Sequence, residues 1–116
     1  MAKKSPKKKI NYDVGLYEHK SINNLILLGI YFTQMENEKC TFEKVVGKCF
    51  SYFPKMFSFS QYRNWPDSRK LDRPLRELRE KRLITGDPKT FFSLTRSGEK
   101  LAQEIVKGFG QKKLIL

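Results

Sequence analysis

Residues 67–95 read DSRKLDRPLRELREKRLITGDPKTFFSLT. Asp67-Ser68 follows Pro66, and either side chain suits a helix N-cap, accepting a hydrogen bond from one of the first free backbone N–H groups. Leu71, Leu75 and Leu78 then recur at spacings of four and three, which lines them up on one helical face. At about 100° per residue, Arg69, Arg73 and Arg76 fall on roughly the opposite face. The spacing predicts a helix with an apolar inside and a cationic outside. After Lys81-Arg82 the pattern changes to Leu83-Ile84, a polar turn over 85–90, and Phe91-Phe92-Ser93-Leu94. With Phe92 and Leu94 alternating onto one face, this predicts a short hairpin. Thr95 caps a further helix carrying Gly98, Leu101, Ala102, Ile105 and Val106, which Gly108-Phe109-Gly110 should stop after about Lys107.

Pro74 lies inside the basic helix and removes one backbone donor. Either the helix begins at Asp72, with Pro74 in its tolerant first turn, or a first turn over 68–73 bends at Pro74. Both geometries bury Leu75 and Leu78. They differ in where Arg69 and Lys70 point.

The order of basic helix, short hairpin and Leu-Thr-x-x-Gly helix resembles the back half of a winged helix-turn-helix domain. The residues that carry the likeness are Leu71, Leu75, Leu78, Leu83, Ile84, Phe92, Leu94, Thr95, Gly98 and Ala102. It covers roughly a quarter to a third of the chain. The resemblance implies an α+β, mostly α, winged-helix fold: a three-helix core, a two-stranded β-hairpin wing and a C-terminal helix. It also implies that the helix before the hairpin lies in the DNA major groove, while the hairpin touches the neighbouring backbone or minor groove. With the basic residues around it, the candidate DNA-binding set is Arg63, Arg69, Lys70, Arg73, Arg76, Lys89 and Thr90. Glu77 and Glu80 sit poorly beside phosphates, so the N-terminal half of the helix is the part for a groove. The same spacing also allows ordinary i,i+4 pairs, Asp72 with Arg76 and Glu77 with Lys81, as on any solvated helix.

The 116 residues fit one domain, with 11–116 as the folded unit and 1–10 as a basic, disordered arm. The formal charge of +12 is extreme for that size, and it is unevenly spread. Residues 1–9 hold five Lys and no acid, residues 10–62 are balanced, and residues 63–82 hold eight Arg and Lys against four acids. A polyanion is the natural partner, and nucleic acid is the commonest one. The Lys-rich start reads as an arm along phosphates, or as a solubilising tail or address signal.

Ser21 and Thr41 are N-caps for two earlier helices, over about 21–36 and 42–53, the second ended by Pro54. The first is apolar almost all round over Leu25–Phe32, so it is buried on more than one side. Its second side meets Tyr12–Tyr17, the Leu114-Ile115-Leu116 tail, or a second copy of the chain, and a homodimer would form through helix 21–36 or through that apolar C-terminal tail. Gly29 in its middle suggests a closely packed neighbour. Residues 54–66 replace the usual three or four residues of a helix-turn-helix turn with an aromatic insert. Phe57 and Phe59 alternate with Ser58 and Ser60, as in a short extended piece. Phe57, Phe59 and Trp65 are expected to fold back into the core, with Tyr62 and Arg63 open to either packing or nucleic acid.

Cys40 and Cys49 have no CxxC spacing and read as two reduced, buried thiols. With His19 the only histidine, neither a zinc site nor a His-based catalytic set is expected, and neither a P-loop nor GxGxxG is present. No cofactor, enzyme activity, signal peptide or membrane association is expected. The leading expectation is a double-stranded DNA-binding protein, either a transcriptional regulator or the DNA-binding component of an assembly. A protein–protein interaction module and an RNA or single-strand binder are the alternatives. The location would be cytoplasmic and nucleoid-associated in a prokaryote, or nuclear in a eukaryote.

Overall fold

A computed structural model describes the backbone of residues 14–17, 20–62 and 64–115. The basic arm, Tyr12, His19, Arg63 and Leu116 lie outside the described residues, as do the side chains of Leu114 and Ile115. The protein is mostly helical, with one small antiparallel sheet. The elements run α1 (Val14–Tyr17), α2 (Ile22–Met35), α3 (Phe42–Tyr52), α4 (Pro54–Phe57), α5 (Arg69–Glu80), β1 (Ile84–Thr85), β2 (Ser93–Leu94) and α6 (Arg96–Ile115).

α2 is the central rod. Ser21 caps it by accepting a hydrogen bond from Asn24 N at 3.1 Å. Six consecutive residues, Leu25 to Ile30, are buried, because α3, α5, α6 and β2 all pack against the helix. Leu25 to Ile30 are thus covered within the chain itself, while Tyr31 and Phe32 are half-buried. At Gly29 a Cβ would sit 2.7 Å from Cys49 Sγ, which explains the glycine as the point where α3 comes closest. Thr41 caps α3 in the same way as Ser21 caps α2, accepting from Lys44 N at 3.2 Å.

Pro54 ends α3 and also opens α4, where its missing N–H costs nothing at the first helical position. The insert is therefore helical first and extended only briefly afterwards. Phe57 is buried in the core, and Ser58 bridges Pro66 across a small antiparallel step. The base of the following loop is fixed by Asp67 N donating to Phe57 O at 2.7 Å and Phe59 N to Trp65 O at 3.1 Å. Tyr17 from α1 stands edge-on to Phe53 at 5.1 Å, and its hydroxyl accepts from Lys55 N at 3.3 Å.

α5 begins at Arg69 and runs through Pro74, so the longer of the two sequence geometries is the observed one. Its opening turn is tightened by Lys70 N to Asp67 O and Leu71 N to Ser68 O bonds. Pro74 is itself buried with Leu71, Leu75 and Leu78, so the ring that forfeits a hydrogen bond adds to the apolar stripe. The helix ends in a Schellman turn: Leu83 N donates to Leu78 O and Arg82 N to Arg79 O, with Arg82 at φ 60° where glycine is usual.

In the hairpin Ile84 faces Leu94 and Thr85 faces Ser93. Ile84 and Phe92 are buried, while Phe91 is exposed. The strands are shorter than the apolar runs because Phe92 N donates to Cys40 O at 2.9 Å, outside the hairpin. Leu94 N likewise donates to the Gln34 side chain at 2.8 Å, tying β2 to the end of α2. Thr95 joins the hairpin to α6: its hydroxyl accepts from Gly98 N at 3.1 Å and donates to Arg82 O at 2.7 Å.

The expected stop at Gly108-Phe109-Gly110 is corrected: α6 continues to Ile115. Two glycines cost helix propensity of about 1 kcal/mol each, but Phe109 extends the Leu101–Ile105 stripe and is buried. Burial of an aromatic ring outweighs that cost. No helix among the described residues is long and apolar enough to cross a membrane.

Candidate nucleic-acid interface

The cations of α5 divide by their angle around the helix. The buried stripe points at α2, and the side chains flanking it brace the helix on both edges. On one edge, Lys70 Nζ donates to Ser58 O at 3.0 Å and Met56 O at 3.4 Å, holding α5 to the insert. On the other, Arg79 Nη1 donates to Gly86 O at 3.0 Å, holding it to the hairpin turn. The remaining outward sector carries Arg69, Arg73 and Arg76, with Glu80 at its C-terminal end, all exposed.

The three arginines differ in their partners. Arg69 grips Asp67 through Nε to Oδ1 at 3.1 Å and Nη2 to Oδ2 at 3.2 Å, and lies over the Phe59 ring at 5.2 Å. The Asp67 carboxylate also caps the helix, accepting from Arg69 N at 3.2 Å. Asp67 is buried, yet the hydrogen bond from Arg69 outweighs desolvation and holds its carboxyl below the ordinary value of 3.8. The same bond raises the Arg69 guanidinium. Arg73 meets Glu77 one turn on at 3.5 Å, with its side chain 83% exposed, a contact that water screens strongly. Arg76 has no ion pair among the described residues, and with Asp72, Leu75, Arg79, Pro88 and Phe92 it lines a cleft of about 190 Å³ between α5 and the hairpin loop. Pro88 places the hairpin loop beside Arg76 in this cleft, and Lys89, next in the chain, is exposed.

Asp87 organises that tip. Its carboxylate accepts from Lys89 N at 2.8 Å and from the Thr90 hydroxyl at 3.4 Å, while Thr90 N donates to Asp87 O at 3.1 Å. Thr90 is therefore occupied in shaping the turn, and Lys89 is the group left facing solvent. Of the sequence-derived set, the structure gathers Arg69, Arg73 and Arg76 on one face, with Lys89 exposed on the hairpin loop. It turns Lys70 inward to backbone carbonyls, and Arg63 lies outside the described residues.

Two features have no signal in the sequence pattern. Arg79 reaches back to Gly86 and ties the hairpin to the helix. Trp65 lies outside the core, contrary to the expectation from the sequence: it is 59% exposed and stacks on Tyr62, itself 58% exposed, with centroids 5.1 Å apart and planes 18° apart. Phe57 is the ring of the insert that is buried. Among the described residues no three of His, Cys, Asp and Glu gather into a metal-binding group.

No protein-family model, curated protein or solved structure matches the chain.

Proposed function

We propose that the chain is a double-stranded DNA-binding protein built on the winged-helix plan, acting as a transcriptional regulator or as the DNA-binding component of an assembly. The observation that carries this reading is the outward face of α5, where Arg69, Arg73 and Arg76 stand exposed next to the Lys89 loop. In this reading α2, α3 and α5 are the three-helix core, residues 86–92 are the wing, and the N-terminal half of α5 meets the major groove. Guanidinium groups on a rigid helix suit phosphate oxygens and base edges alike. The net charge of +12 adds long-range attraction to any polyanion. Lys70 leaves the contact set, because its ammonium is already spent on two carbonyls.

A protein-docking role has less support. It calls for spare apolar surface on α2 or on the Leu114-Ile115-Leu116 tail. On α2, Leu25 to Ile30 are covered by α3, α5 and α6, which leaves Met35 exposed and Tyr31 and Phe32 half-buried. The side chains of the tail lie outside the described residues. The test is a salt titration of binding to blunt duplex DNA and to RNA, with sizing of the free chain alongside. Four cations on phosphates give log K a slope of about −3.6 against log salt. Failure to bind any duplex at low salt would end this reading, and a dimer on sizing would reopen the question of a second copy against α2.

A further inference from the structure

Tyr62 and Trp65 are large, exposed and stacked on each other, an arrangement that leaves apolar ring surface in water. Their loop is not loose. Its base is held by the Ser58–Pro66 bridge and by the backbone bonds of Phe59 and Asp67, and Trp65 N donates to Tyr62 O at 3.0 Å across its turn. Lys70 then fastens the same segment to α5 by donating to Met56 O and Ser58 O. Arg69, four residues after Trp65, lies over Phe59 in the adjoining step. The aromatic pair is thus fixed at the N-terminal end of the arginine face.

We infer that Tyr62 and Trp65 form a stacking platform for an unpaired base of a DNA strand, so that the preferred target is a duplex bearing a single-stranded overhang. The inference rests on the nucleic-acid reading above and adds to it which end of the DNA meets which end of α5. Every nucleobase has a flat π face, and a pre-stacked pair of rings offers it a matching flat surface with little side-chain ordering to be done. Charge complementarity selects the occupant. The strand that leaves the base carries phosphates, and the exposed cations beyond the platform are Arg69, Arg73 and Arg76. A proline-rich peptide would find the rings but nothing to pair with these guanidinium groups.

Trp65 is the only tryptophan in the chain, so its emission reports the platform directly. Affinities are read from the anisotropy of labelled DNA or peptide, which also serves the variants that lack Trp65. The full chain is titrated with a short blunt duplex, with the same duplex carrying a thymidine overhang at either strand end, with the single strand, and with a proline-rich peptide. Overhang DNA is expected to quench Trp65 and to bind at least about fivefold more tightly than blunt duplex. Trp65→Ala and Tyr62→Ala, both at exposed positions, should abolish that preference while leaving blunt-duplex affinity unchanged, and Trp65→Phe should keep part of it. Equal affinity for overhang and blunt duplex with unchanged emission overturns the platform and leaves the duplex reading standing. Quenching by single strand without any blunt-duplex binding supports the platform and overturns the duplex reading. Quenching by the peptide and not by DNA overturns the platform in favour of a protein ligand, and binding to no DNA overturns both readings.

Discussion

On the proposed reading, removing Arg73 and Arg76 together should separate cations that meet DNA from cations that hold the fold. Both side chains are exposed on α5, so their truncation to Ala should change stability by no more than about 0.5 kcal/mol. The outward set is Arg69, Arg73, Arg76 and Lys89, and four phosphate contacts imply a slope of about −3.6 in log K against log salt, falling to about −1.8 for the double variant. Between roughly 50 and 200 mM salt the parent should lose about 150-fold in affinity and the variant only about 12-fold. Lys70→Ala is the counterpart. Its ammonium donates to Met56 O and Ser58 O, so its loss should cost about 1–2 kcal/mol of stability and leave the blunt-duplex slope unchanged. The assay is fluorescence anisotropy on a labelled blunt duplex at four or more salt concentrations, with thermal melts on the same samples. A double variant that keeps the parental slope, or a Lys70→Ala protein that loses as much slope as the double variant, would refute the division of α5 into an outward contact face and two bracing edges.

Three further outcomes test the fold. At Gly98 a Cβ would lie 2.0 Å from Leu83 O, so Gly98→Ala should destabilise by about 3 kcal/mol or more, whereas Gly47→Ala, in open space on α3, should stabilise by about 0.5–1 kcal/mol; urea midpoints compare them directly. The Asp67 carboxyl is held below 3.8 in the folded chain, so its stabilising contribution is present above that pH and fades as the pH falls through the lower folded value. Asp67→Asn should therefore be less stable than the parent at neutral pH, with the gap closing in acid melts; a gap that persists there would contradict the pairing with Arg69. Burial pushes the Cys40 thiol up to about 11, and the Cys49 thiol higher still. Neither should react with a thiol reagent near neutral pH until denaturant is added, and rapid labelling of the folded chain would show the α2–α3 interface to be open.

The parts of the fold that depend on local chemistry were legible in the sequence. Ser21 and Thr41 announce their helices because a hydroxyl before an apolar period has one obvious use, and both accept the expected amide. Leu71, Leu75 and Leu78 identify the inward face of α5 by spacing alone, and the arginines opposite them follow. What spacing does not contain is what lies beside a helix. Lys70 and Arg79 resemble solvated cations on a helical projection, and only the carbonyls of residues 56, 58 and 86, brought in from other segments, show them to be braces. Aromatic content likewise says that rings need cover without saying which ring receives it. Phe57 took the core position and Trp65 did not. At Gly108-Phe109-Gly110 the backbone signal for a stop was real, but the burial of Phe109 against the core outweighed it.

The paired braces of α5 carry a consequence for how any anion meets it. A helix held on one edge can still roll about its axis, and a roll of one residue step, about 100°, would bring Glu77 toward the sector now held by arginine. With Lys70 anchored to the insert and Arg79 to the hairpin, that rotation is blocked from both sides. On the proposed reading, the guanidinium groups are aimed while the chain folds, so a polyanion that meets them has little axial freedom of the helix to quench.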